Sequence, residues 1–120
     1  EVITDREWLE NTLLSTVGKR GAAIIDARGL SSATSAANAL IDHVRALMTP
    51  GPELHSVAVY SAGQYGFAEG IWASMPVRTT APGSYEVVLG QPIDEFSAGK
   101  IKLTNDELVS ERDTVKEMLG

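Results

Sequence analysis

The chain has 120 residues, a net charge of −6, 43% hydrophobic and 22% charged residues, and no cysteine. That length and apolar content suit one globular domain able to bury its own core. The acidic balance leaves no basic face to neutralise phosphates, which argues against nucleic acid and anionic membranes; the missing cysteines exclude disulfides and Cys-ligated metals.

The chain starts at Glu1 rather than Met and runs within a few residues into a helical pattern, so it is expected to be a piece of a longer protein. No signal-peptide pattern is present, and no run of about 18 apolar residues could span a bilayer. Thr4 and Glu7 spell a capping box, flanked by Ile3 and Trp8 as a hydrophobic staple. Leu9, Leu13, Val17, Ile24 and Ile25 continue an apolar stripe at helical period, interrupted by Gly18 and Gly21. The pattern predicts a helix over residues 5–28, bent near Gly18. Gly29 stops it, and Ser31 or Ser32 can cap the next helix. That second helix runs to about Met48, with Ala33, Ala36, Ala37, Leu40, Val44 and Leu47 on one face, and ends at Thr49-Pro50-Gly51-Pro52.

The middle of the chain reads as β. Residues 56–61 alternate, with Val57 and Val59 on one side. Residues 70–80 alternate again: Ile71, Ala73, Met75 and Val77 oppose Trp72, Ser74, Pro76 and Arg78. Pro76 cannot donate to a ladder, which predicts an edge or a bulge. Ala81-Pro82-Gly83-Ser84 is a type II Pro-Gly turn, and Tyr85 to Leu89 returns as its hairpin partner. Tyr65 and Phe67, in the long loop of residues 62–69, are expected to plug the sheet edge. A second capping box, Thr104 with Glu107, predicts a C-terminal helix with Leu108, Val115, Met118 and Leu119 facing inward. Helices, then three antiparallel strands, then a helix make an α+β fold with helices covering one sheet face.

Chemistry is sparse. There is no G-x-G-x-x-G, no Walker loop and no H-E-x-x-H. His43 sits inside a helix and His55 opens a strand; a lone histidine is more often structural than catalytic. Asp94, Glu95, Asp106, Glu107 and Glu111 read as caps and solvated faces. Ser31 and Ser32 are either helix caps or hydroxyls lining a polar pocket; Gly-Leu-Ser-Ser is no nucleophile elbow. The alanines after them allow close approach of another backbone, within the chain or from a second subunit. No catalytic residue and no metal ligand is assigned.

Residues 20–45, RGAAIIDARGLSSATSAANALIDHVR, resemble the C-terminal part of NAD-dependent malate dehydrogenases of the branch that includes the cytosolic enzymes. VAVYSAGQYGFAEGIWASMPV and VVLGQPIDEFSAGKIKLTNDEL follow as similar blocks in the same order and spacing. The resemblance implies an N-terminal Rossmann domain for NAD, absent from these residues, and a C-terminal α+β domain that closes the substrate site. It implies a hydride moving between malate C2 and nicotinamide, with a histidine–aspartate pair and arginine clamps that lie outside this chain. Within the chain, it implies substrate-pocket hydroxyls at Ser31 and Ser32. Arg28, Ala33, Ala36 and Ala37 match positions on a homodimer interface. Malate and oxaloacetate are the implied substrates and the cytoplasm the implied compartment. Ala62, Ala68 and Met75 depart from the family's usual spelling. A non-catalytic assembly module on this fold, or a dehydrogenase of another 2-hydroxy acid such as lactate, are the alternatives.

Overall fold

The computed structural model describes residues 3–119, and the chain divides into two compact units, Glu1–His43 and Val44–Gly120. In the first unit the Asp5 carboxylate accepts the Trp8 N–H at 2.9 Å. The capping acceptor is therefore Asp5, one residue beyond the expected Thr4. A carboxylate at that place also favours the positive end of the helix. The segment Trp8–Leu13 is π-helical and leads into α1 (Leu14–Gly18). The backbone then breaks at Lys19, with φ −101° and ψ 3°, before α2 (Arg20–Arg28). The bend expected near Gly18 thus falls one residue later, as a true interruption. Gly29 ends α2 at φ 67°, with its N–H donating to the Ile25 carbonyl at 2.8 Å. That left-handed conformation strains any residue with a Cβ. α3 (Ala33–Met48) follows. Among the described residues of this unit none is buried, and Leu14, Val17, Ile25, Leu30, Leu40 and Ile41 are all exposed.

The second unit is built on a three-stranded antiparallel sheet of order β1-β2-β3: β1 (His55–Tyr60), β2 (Trp72–Ala81) and β3 (Ser84–Val87). The alternation read from the sequence is observed. Val57, Val59, Ala73, Met75 and Val77 are buried on one face, while Ala58, Tyr60, Trp72 and Ser74 are exposed on the other. On that outer face Tyr60 and Trp72 meet edge to face at 5.7 Å. β1 pairs with β2 from His55↔Val77 to Tyr60↔Trp72. β2 pairs with β3 through Val77↔Val87, Thr79↔Tyr85 and Ala81↔Ser84, which leaves Thr80 as the extra residue of a bulge. Gly83 has φ 75°, as the type II turn requires.

The hairpin also holds the end of α3. A helix leaves its last four carbonyls without intrahelical donors. Here the buried Thr79 hydroxyl donates to the Ala46 carbonyl at 2.8 Å, and the Gly83 N–H donates to the Leu47 carbonyl at 3.0 Å. Leu47 packs against the core from that end.

Further expectations change. Pro76 lies in the central strand, opposite Ser56 on β1 and next to Val77, the last β2 residue paired to β3. β3 ends beside Val77, but Val88 just beyond it still donates its N–H to the Pro76 carbonyl at 2.9 Å. The C-terminal helix, α4 (Glu95–Leu119), starts about ten residues before the predicted capping box. Asp94 caps it, its carboxylate accepting the Ser97 N–H at 2.8 Å, so Thr104 and Glu107 are mid-helix. The inward positions are Ile101, Leu108 and Val109, which pack on the sheet, with Asn105 between them. Leu108 faces inward as expected, but Val115 is 40% exposed and Met118 is 82% exposed; the Leu119 side chain lies outside the described residues. On the solvated side Lys102 Nζ meets Asp106 at 2.5 Å. That hydrogen bond, with a second from Asn105, holds the Asp106 carboxyl below its ordinary value. Its contribution is present above the usual carboxylate range and is lost as the pH falls through the lowered value.

Met75 is 1% exposed at the centre of the sheet's inner face. Met75→Ala should lower unfolding free energy by about 2–5 kcal/mol, measured as a fall in the denaturant midpoint. Trp72→Ala, on the outer face of the same strand, should cost less.

Candidate functional site

The candidate residues come together at the corner between α2 and α3. α2 ends in Arg28, Gly29 reverses the chain, and Leu30, Ser31 and Ser32 lead into Ala33. The left-handed glycine is what allows two helices to meet over so few residues. Ser31 Oγ accepts the Ala33 N–H at 3.0 Å, a short side-chain turn that satisfies one of the free N–H groups at the start of α3. The Ser32 carbonyl accepts the Ala36 N–H at 3.1 Å and starts the helical ladder. The two serines therefore differ. Ser31 is exposed and its oxygen lone pairs are partly used by the cap; Ser32 is half-buried.

Arg28 is exposed at the C-terminal end of α2, where a cation suits the negative end of the helix. Arg20 opens the same helix and so stands about 12 Å away along its axis; it does not belong to the corner. Ala33, Ala36 and Ala37 recur at i, i+3 and i+4 and share one face of α3. All three are exposed. With side chains this short, an approaching backbone could come close to the helix axis. Leu40 and Val44 continue the exposed apolar surface at 63% and 50% exposure.

The histidines are separated: His43 is on α3 and His55 is the first residue of β1. His55 lines an open cavity of about 280 Å³ with Leu54, Ser56, Ser74, Met75 and Pro76. A second cavity, of about 320 Å³, lies between the residue 62–69 loop and α4, lined by Tyr65, Ile93, Ile101 and Asn105 among others. Neither includes the corner residues. Phe67 is buried in the core, as expected of a plug. Tyr65 does more than plug. It adopts φ 55° and ψ 19° inside a short 3-10 turn, Gln64–Gly66. A bulky non-glycine residue in that region costs of order 1–3 kcal/mol. The sequence carries no signal for this beyond the flanking Gly63 and Gly66.

Residues 1–119 match the family model of the lactate/malate dehydrogenase alpha/beta C-terminal domain. The chain belongs to the lactate/malate dehydrogenase family. Its fold is that of the family's C-terminal domain, as the residue blocks suggested. The malate dehydrogenase of Rubrobacter xylanophilus is 50% identical over 116 residues, covering 97% of this chain and 36% of that protein. The malate dehydrogenase of Magnetococcus marinus is 49% identical over 121 residues, covering 99% of this chain and 37% of that protein. The chain thus spans a little over a third of the length of these relatives. Among solved structures, the malate dehydrogenase of Naegleria fowleri superposes with a TM-score of 0.89 at 45% identity over 98% of this chain and 36% of that one. A lactate dehydrogenase of Trichomonas vaginalis in complex with NADH and oxamate gives a TM-score of 0.83 at 26% identity, over 98% of this chain and 37% of that one.

The geometry separates the two serines by experiment. Ser31→Ala should destabilise the start of α3 by about 0.5–2 kcal/mol, the usual worth of a side-chain cap, seen as faster amide exchange over residues 33–36. Ser32→Ala leaves the observed backbone bond intact and should change that exchange less.

Proposed function

We propose that this chain is the C-terminal domain of an NAD-dependent malate dehydrogenase, which interconverts malate and oxaloacetate by hydride transfer. One observation carries the reading. Two malate dehydrogenases are 49–50% identical across 97–99% of the chain, against 26% for a lactate dehydrogenase of the same fold. In this reading the catalytic histidine and aspartate, the arginine clamps and a Rossmann domain belong to preceding sequence. The residues present do not suit a dinucleotide. The glycine turn before α3 joins helix to helix, whereas a pyrophosphate turn joins strand to helix. No step is therefore assigned to NAD within this chain; in this reading its cradle belongs to the preceding sequence. A cytoplasmic setting goes with the same reading; no helix among the described residues is long and apolar enough to cross a membrane.

Within the enzyme, Ser31 and Ser32 form one wall of the substrate pocket. A hydroxyl there donates a hydrogen bond to a substrate carboxylate or to a water held by it. Arg28, Ala33, Ala36 and Ala37 contribute to a homodimer interface. Support for an interface comes from the exposed Leu40 and Ile41 on the same helix, because apolar patches of more than a few hundred Å² seldom stay bare.

The decisive assay uses the full-length protein with NADH and either oxaloacetate or pyruvate. A higher kcat/KM for oxaloacetate supports the reading; preference for pyruvate, or no turnover with either, overturns it. The 120-residue chain alone should not oxidise NADH with oxaloacetate, and measurable turnover would contradict the assignment of the catalytic residues upstream. Ser31→Ala with Ser32→Ala in the full enzyme should lower kcat/KM by about 1–2 kcal/mol, the worth of one lost pocket hydrogen bond. Unchanged kinetics would leave the serines as caps only.

A further inference from the structure

A central strand that contains proline must lose one ladder bond. In an antiparallel ladder, two directly opposed hydrogen-bonded residues exchange two bonds, each N–H donating to the other's carbonyl. Val88 follows the last residue of β3 and donates its N–H to the Pro76 carbonyl at 2.9 Å. The return bond would run from the residue 76 N–H to the Val88 carbonyl, and proline has no such proton. That half-buried carbonyl is instead reached by the Tyr65 hydroxyl, which donates to it.

We propose that Tyr65 is a side-chain surrogate for the amide proton that Pro76 lacks, and that it thereby positions the connector between β3 and α4. Three independent features agree. Tyr65 holds a left-handed backbone conformation that disfavours its own side chain, so some interaction must compensate. Its hydroxyl oxygen also faces the Gln91 N–H at 3.4 Å, so one phenol touches both ends of the turn that leaves the sheet. The loop carrying it is anchored to α4 at two further points: Asn105 Oδ1 accepts the Ala68 N–H at 2.7 Å, and Arg112 Nη1 donates to the Glu69 carbonyl at 3.3 Å. The loop is thus fastened on one side to α4 and on the other to the strand end, and the phenol is the strand-side fastening. It controls where β3 ends and where the chain turns toward Asp94, the cap of α4.

The test is a two-by-two set in the full-length protein: wild type, Tyr65→Phe, Pro76→Ala and the double variant, with amide exchange read residue by residue. Phenylalanine keeps the ring and removes only the hydroxyl. With Pro76 in place, Tyr65→Phe should speed exchange of the Val88 amide by about tenfold, the size of one net hydrogen bond. In the Pro76→Ala background the new backbone N–H supplies the missing donor, and the same substitution should speed Val88 exchange by much less. That new N–H at position 76 should itself be protected. The Gln91 amide is the internal control, since it uses the hydroxyl directly and should respond equally in both backgrounds. Equal Val88 effects in both backgrounds would overturn the proposal, as would an N–H at position 76 of the Pro76→Ala variant that exchanges like free chain. Pro76 lies outside the buried row of Ala73, Met75 and Val77, so the set stays readable.

Discussion

The second unit depends on one strand. β2 has neighbours on both sides, and its inner face places Ala73, Met75, Val77 and Thr79 in a continuous buried row. Because strand side chains alternate, a slip of one residue would turn that row to solvent and bring Trp72, Ser74 and Arg78 inside. The register is therefore strongly specified, and much of the rest follows from it. The hairpin turn can form only where β2 runs out, the hydroxyl of Thr79 can reach the Ala46 carbonyl only in that register, and α4 covers the row that results.

The first unit has a different character. Its local signals are strong: an Asp5 cap, a left-handed glycine, a serine cap and an uninterrupted α3. Yet none of its described side chains is buried. Helical segments this short are held mostly by packing of an apolar face rather than by propensity. The exposed leucines and isoleucines are thus the part of the unit's design that points outward, and two of them, Leu40 and Ile41, share α3 with the small residues.

What could be read in advance tracks how local the physics is. The strands were legible because a half-buried sheet face writes its period directly into the sequence. The Gly29 stop and the Pro82-Gly83 turn were legible because only certain residues adopt those angles cheaply. The start of α4 was not. Thr104-x-x-Glu107 has the spelling of a helix start, but spelling does not stop a helix already running from Asp94, and Gly99 costs too little to end it. The edge or bulge expected for Pro76 fails for a related reason. The rule that proline belongs at an edge concerns the vacancy beside its nitrogen, and here that vacancy lies within a central strand, past the last residue of β3. The corner serines were legible as a pair. Which of them gives its oxygen to the backbone depends on the turn between the helices, because both sit one or two residues before α3.

The placement of the aromatic residues has a practical consequence. The chain has two tryptophans, and they fall one to each unit: Trp8 beside the Asp5 cap, and Trp72 on the outer sheet face. Trp72 is 62% exposed and has Tyr60 at its edge, while Trp8 is 37% exposed. The 120-residue chain thus carries two built-in fluorophores in unlike surroundings. With either one replaced by phenylalanine, the emission of the other becomes a private reporter for its own unit, and the two halves of the chain can be followed through unfolding separately without any added label.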